Sequence, residues 1–258
     1  MTPADVAAYI GAAAWLPQIT AWVYKWLLKP TLTVVSEGKA EVGHTSLGPI
    51  LNIKFALSAE RQDIIINDFR VQLVHQDGDT HTFRWSGMRE DLSETRDASN
   101  VKQGYMVKDQ LPIALKIGTS ALVEKTMRFQ EPRFSESHDS IVEALVEHFN
   151  FLKGKDPDYV NSILKSKEYW AVADFRSKSI WWKEGRYDLT LQPATTKKVN
   201  VQRQRYSFVL SRINIDRLRE NSTILNTDLE NTIKSNLPGF QMPMLQWNWV
   251  YPELTLTE

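Results

Sequence analysis

The chain has no cysteine. That excludes a disulfide scaffold, thiolate zinc sites, iron–sulfur centres and a cysteine nucleophile, and it suits a reducing compartment. It also has no net charge, because 31 Lys+Arg balance 31 Asp+Glu over 258 residues. Without a global field, steering towards nucleic acid is not expected. There is no Gly-x-Ser-x-Gly elbow, no phosphate-binding glycine loop and no dinucleotide fingerprint. His-Glu-x-x-His is missing as well: Glu143, Glu147 and His148 share one predicted helix with a single histidine. Repeats, low-complexity tracts and flexible linkers are absent, so one main domain is the simplest count. Tryptophan is plentiful, at nine residues. Such residues concentrate in cores, interfaces and membrane belts.

The first 29 residues form a unit of their own. Thr2-Pro3-Ala4-Asp5 reads as a helix start, and Lys25, Lys29 and Pro30 as its end. Between them, Val6 to Leu28 is 23 residues whose clearly polar members are Gln18, Thr20 and Lys25. At ~1.5 Å per residue this helix matches the hydrocarbon thickness of a bilayer. Around the helix, Ala7, Gly11, Ala14, Gln18, Lys25 and Lys29 make one narrow stripe, and the rest is apolar. A surface helix on a soluble domain carries a broader polar face. Trp22, Tyr24 and Trp26 beside Lys25 and Lys29 have the composition of an interfacial belt with snorkelling lysines. The segment is therefore expected to be a single-pass membrane anchor or a helix docked on a partner protein, the β domain or an oligomer. Positive charge on its C-terminal flank places the main domain on the cytoplasmic side of an inner membrane; a cytoplasmic protein is the alternative.

Residues 30–258 read as mainly β. "ILNIKFAL" (50–57) alternates, with Leu51, Ile53, Phe55 and Leu57 on one face. Around Asp77-Gly78 the buried face selects a three-residue loop, Asp77-Gly78-Asp79, with a glycine bulge; it pairs His75 with His81 and Leu73 with Phe83. Residues 91–104 are polar and aperiodic, the pattern of an exposed loop. A helical insertion is expected near 137–166, capped by Ser137 and followed by a β-like segment over 169–175. Tyr187, Leu189 and Leu191 alternate against Tyr206, Phe208 and Leu210 as a further hairpin. Trp247, Trp249 and Tyr251 share one face of a closing extended segment. The "EGRYDLTL" stretch resembles the Gly-x-Tyr strand of immunoglobulin-like sandwiches, whose tyrosine pins a corner. Regularly spaced strands point the same way, to an immunoglobulin-like β-sandwich.

Two groups of residues could carry chemistry. His75 and His81, with Asp77 and Asp79 at the turn, form a weak metal-site candidate. Lys197, Lys198, Arg203, Arg205, Arg212, Arg217 and Arg219 concentrate positive charge, with Asp216 the one acid between Lys197 and Arg219. Phosphate groups of lipid or nucleic acid would be drawn to such a surface, most directly at Lys197, Lys198, Arg203 and Arg205. The expected function is a non-enzymatic interaction module, tethered by its helix and offering its β domain to a protein partner, with no cofactor. The alternatives are a metal-dependent or hydrolytic enzyme built on His75 and His81, and an anionic lipid or nucleic-acid binder using the basic hairpin.

Overall fold

The structure is a computed structural model and describes residues 14–24, 29–96 and 102–257, with side chains described outside 91–107. Residues 14–24 are helical (α1). The strands are β1 (Thr31–Thr45), β2 (Gly48–Glu60), β3 (Ile64–His75), β4 (Thr80–Arg96), β5 (Lys102–Gln110), β6 (Leu115–Ile117), β7 (Leu122–Gln130), β8 (Gly185–Thr195), β9 (Asn200–Gln202), β10 (Arg205–Leu210), β11 (Trp249–Val250) and β12 (Thr255–Leu256). The remaining helices are α2 (Pro132–Lys153), α3 (Tyr159–Leu164), α4 (Lys167–Lys178), α5 (Arg212–Arg219) and α6 (Asn221–Lys234).

All the strands belong to one 12-stranded sheet with the order β11-β1-β2-β7-β4-β3-β8-β10-β12. Its two ends, β11 and β12, belong to the same C-terminal segment. That segment runs along β1, with Val250 opposite Val42, the Ala40 N–H donating to Pro252 O (3.1 Å) and the Leu254 N–H to Gly38 O (2.8 Å). It then crosses to β10, where Leu256 lies opposite Tyr206. The sheet thus curls until its ends meet, which leaves few edge groups open to another chain. Alternating residues fill the interior: Phe55, Phe69, Phe83, Phe129, Tyr187 and Phe208 are all buried there. The Tyr206 hydroxyl donates across the closure to Val34 O (3.0 Å).

A helical layer with its own core lies over one end, where Leu145 of α2, Ile163 of α3, Val172 of α4 and Leu229 of α6 pack together. Its junction with the sheet is close. Phe134 sits against Gly48, whose φ of +84° and lack of Cβ are both required: a Cβ there would lie 2.4 Å from the ring. Buried Asn221 donates to His44 O (3.0 Å) and Asn248 O (2.9 Å) and accepts from Asn248 N (2.8 Å), fixing α6 to β1 and the C-terminal segment.

Several expectations need correction. The strands form one closed-up sheet, not the two separate sheets of an immunoglobulin-like sandwich. The Tyr187 hydroxyl accepts from Lys183 N (2.8 Å) and donates to Lys183 O (3.1 Å), four residues upstream. The β3–β4 turn is Gln76-Asp77-Gly78: His75 N donates to Asp79 O and Gly78 N to His75 O, both at 2.8 Å. A type I turn closed by a left-handed residue needs glycine last, and Gly78 has φ +93°. Leu73 therefore faces His81, and His75 lies one diagonal step from it on the same face. Residues 91–96 and 102–104 extend β4 and β5 as a hairpin instead of forming a loop. The insertion starts at Pro132, whose missing N–H suits a first turn, not at Ser137. Residues 169–175 are helical: Ser166 caps α4 by accepting from Tyr169 N (3.2 Å), and Tyr169, Val172, Ala173 and Arg176 are buried at helical spacing.

The layer junction has a pH-sensitive member. His44 is fully buried, its Nδ1 has no hydrogen-bond partner among the described residues, and burial pushes its pKa down from the ordinary 6.5 to about 4. The unfolded chain takes up this proton first as pH falls, so stability is lost between pH 6.5 and about 4. Urea unfolding should show a His44-linked loss of roughly 3 kcal/mol over that window. His44→Gln should remove that part of the pH dependence; a variant as acid-sensitive as the parent would contradict the assignment.

Candidate functional site

The curled sheet has two ends, and the sequence-predicted residues divide between them. At the end bearing the helical layer stand the two histidines. His75 Nδ1 is 2.8 Å from Asp77 Oδ1 and its Nε2 is 3.0 Å from Glu184 O. His81 Nδ1 is 2.8 Å from buried Glu131 Oε1, and its ring stacks on Trp181 with centroids 3.5 Å apart. Trp181 Nε1 donates to the other Glu131 oxygen (2.9 Å). Lys183 Nζ bridges Asp77 Oδ2 (3.0 Å) and Asp79 Oδ2 (2.9 Å). The Asp79 backbone N–H, His75 and Lys183 hold the Asp77 carboxyl well below the usual carboxylate range, and Lys183 does the same for Asp79. Each histidine is thus tied to a different carboxylate. Among the described residues no group of three or more His, Asp or Glu is arranged to hold a metal. Glu131 and Trp181 gave no sequence signal, since both reach the hairpin from distant segments.

At the opposite end the basic hairpin meets the start of β1. β9 pairs in parallel with the start of β1, Thr31 opposite Asn200 and Thr33 opposite Gln202, and Asn200 N donates to Pro30 O (2.9 Å). Lys197, Lys198, Arg203 and Arg205 flank this strand and are exposed. Among the described residues none of the four has an ion-pair partner; Lys197 Nζ donates to Gln62 Oε1 (3.2 Å). Arg61, in the β2–β3 turn, joins them by donating to Lys29 O (3.2 Å). Acids described at this end include Glu60 and Asp63, the latter paired with Lys116 at 3.0 Å. Arg212 and Arg219 do not extend the patch, because α5 begins at the far end of β10; Arg219 lies 4.0 Å from Asp216.

Backbone conformation marks the same place. The described non-glycine residues with positive φ are Arg61 (76°) and Arg203 (56°), both in turns of the basic end. A left-handed arginine costs on the order of 1 kcal/mol, and such strain collects at functional positions.

No family model, curated protein or solved structure matches this chain. The site is therefore read from its own geometry.

The described part of the N-terminal helix is bare. Every residue of 14–24 is exposed, including Trp15 (63%), Trp22 (69%) and Tyr24 (65%), so the β domain does not cover it. Lys25 and Trp26 lie outside the described residues, and Lys29 is exposed at the junction. Among the described residues no helix is long and apolar enough to cross a membrane.

Strain and charge at Arg203 can be separated. Arg203→Gly relieves the left-handed backbone, so chemical denaturation should show a stability equal to the parent or up to about 1 kcal/mol higher. The same variant should bind anionic vesicles more weakly. Lower stability with unchanged vesicle binding would show Arg203 to be a purely structural residue.

Proposed function

We propose that this protein is a membrane-tethered, non-enzymatic interaction module whose curled sheet stands with its β9 end on anionic lipid headgroups. The observation that carries the reading is the parallel β1–β9 pairing: it sets Lys197, Lys198, Arg203 and Arg205, without ion-pair partners among the described residues, beside the start of β1, which follows the apolar N-terminal segment in the chain. Apolar surface on that helix favours a hydrocarbon environment, and a basic cluster beside a membrane helix gains about 1 kcal/mol per cation at an anionic surface. Trp22, Tyr24, Lys25, Trp26 and Lys29 then serve as the interfacial belt, and the main domain lies on the cytoplasmic side of an inner membrane, where the anionic lipids and the positive flank agree. As a scaffold the sheet works as an immunoglobulin-like sandwich does, offering rigid strand faces and end loops to a protein partner away from the lipid.

Two measurements on the full chain test this. In membrane fractions washed with carbonate the protein should stay in the pellet, and L16E/I19E/V23E should be released. Reversing Lys197, Lys198, Arg203 and Arg205 to Glu should lower binding to phosphatidylserine vesicles about tenfold or more at physiological salt, without changing binding to neutral vesicles. Complete release of the parent by carbonate, with equal binding of both forms to anionic vesicles, would reject the reading.

A further inference from the structure

The outer face of the sheet carries a polar groove that neither the tether nor the basic end uses. Its floor is a row across three strand pairings. Glu41 of β1 faces Asn52 of β2, Asn52 faces Arg128 of β7, and Arg128 faces Gly87 of β4. Arg89 of β4 faces Thr126, one diagonal step from Arg128 on the same face. Two cavities of about 450 and 170 Å³ lie over this row, and Asn52, Arg89 and Arg128 line both. The larger has the size of a small-molecule site. One wall is aromatic: Trp247, Trp249 and Tyr251, which the C-terminal segment presents as it runs beside β1. Two glycines shape the space. Gly43 lets the Trp249 ring lie on the strand, since a Cβ there would come within 2.4 Å of it, and a Cβ at Gly87 would meet nothing nearer than 3.8 Å.

The groove is incomplete in its hydrogen bonding. Arg128 is half-buried, and among the described residues its guanidinium makes no hydrogen bond or ion pair. Arg89 uses Nε on Asp109 Oδ1 (3.1 Å), which leaves its terminal amino groups over. Asn52 donates to Glu41 Oε2 (3.1 Å), while its own Oδ1 is buried without a partner. The indole N–H groups of Trp247 and Trp249 have no acceptor among the described residues. Glu41 accepts from Asn52 and Asp109 from Arg89, so the donors left over on Arg128 and Arg89 call for an oxyanion, while the Asn52 oxygen is left to accept from an N–H or hydroxyl of the same ligand.

We infer that this groove binds a small ligand in which an oxyanion, phosphate or carboxylate, is joined to a planar ring. The oxyanion takes the fork of Arg128 and the free amino groups of Arg89, a geometry suited to two parallel charge-assisted bonds. The ring lies along the Trp247–Trp249–Tyr251 wall, where aromatic faces stack at little entropic cost. The site is independent of the membrane reading, because it sits on the flank of the sheet and uses none of the β9 cations.

Isothermal titration of the full chain in detergent tests the assignment, using uridine monophosphate against uridine for a phosphate, and phenylacetate against phenylacetamide for a carboxylate. At least one anion should bind saturably, about tenfold or more tighter than its neutral partner, and the pair that discriminates names the source of the oxyanion. Arg128→Gln should abolish the discrimination, and Arg128→Lys should retain part of it. A circular dichroism melt like the parent's shows that either variant is folded. No saturable binding of either anion at millimolar concentration, equal affinity for charged and neutral partners, or an unchanged isotherm in folded Arg128→Gln would overturn the inference.

Discussion

The rest of this structure depends on the two hydrogen-bonded edges of β1. One edge pairs with β2 from Thr31↔Glu60 to Thr45↔Gly48, broken by a shift between Ser36 and Ala40. The other takes β9 first, then residues 252–254, then β11. A strand used on both edges has no template left to offer, and here it also closes the sheet. Closure makes the alternating residues a filled interior and leaves the outward row free to build a surface. Glycines at 38, 43 and 48 belong to this strand and its turn, and two of them are contact points: Gly43 under Trp249 and Gly48 under Phe134.

The same strand explains how a chain with no net charge has a strongly uneven surface. At the end with the helical layer several charges are paired, Lys183 with Asp77 and Asp79, His81 with Glu131, and Arg176 with Asp228 (3.4 Å) and, by a further bond, His138 (3.0 Å), while Arg212 and Arg217 have no ion pair among the described residues. At the β9 end, Lys197, Lys198, Arg203 and Arg205 have no such partners among the described residues. Exposed pairs add little to stability, so this division is not a stability device. It leaves uncompensated cations beside the start of β1.

Local features were legible in the sequence and distant ones were not. The alternation of Leu51, Ile53, Phe55 and Leu57 identifies their strand, and the shared face of Trp247, Trp249 and Tyr251 survives in the groove wall. The β3–β4 turn was legible in kind but not in place, because a glycine bulge puts Gly78 last in the loop; the buried face was kept since a slip of two residues preserves parity. "YWAVADF" misleads because aromatic and β-branched residues suggest a strand, yet the packing of Tyr169, Val172 and Arg176 imposes a helix. The closure of the sheet, the meeting of β9 with β1 and the Asn52–Arg128–Arg89 row all join residues far apart in sequence. No local pattern encodes those pairings, so neither the basic end's position nor the groove could be read in advance.

The central claim is that the sheet stands on a membrane by its β9 end. Since the chain has no cysteine, a single introduced cysteine gives one labelling position. An environment-sensitive fluorophore at Lys198→Cys should shift to the blue and be quenched by headgroup-labelled lipid when the full chain is reconstituted in anionic vesicles. The same label at Thr80→Cys, exposed on the opposite end, should remain water-like. Equal, water-like signals at both positions, or quenching at residue 80 in place of 198, would contradict the account.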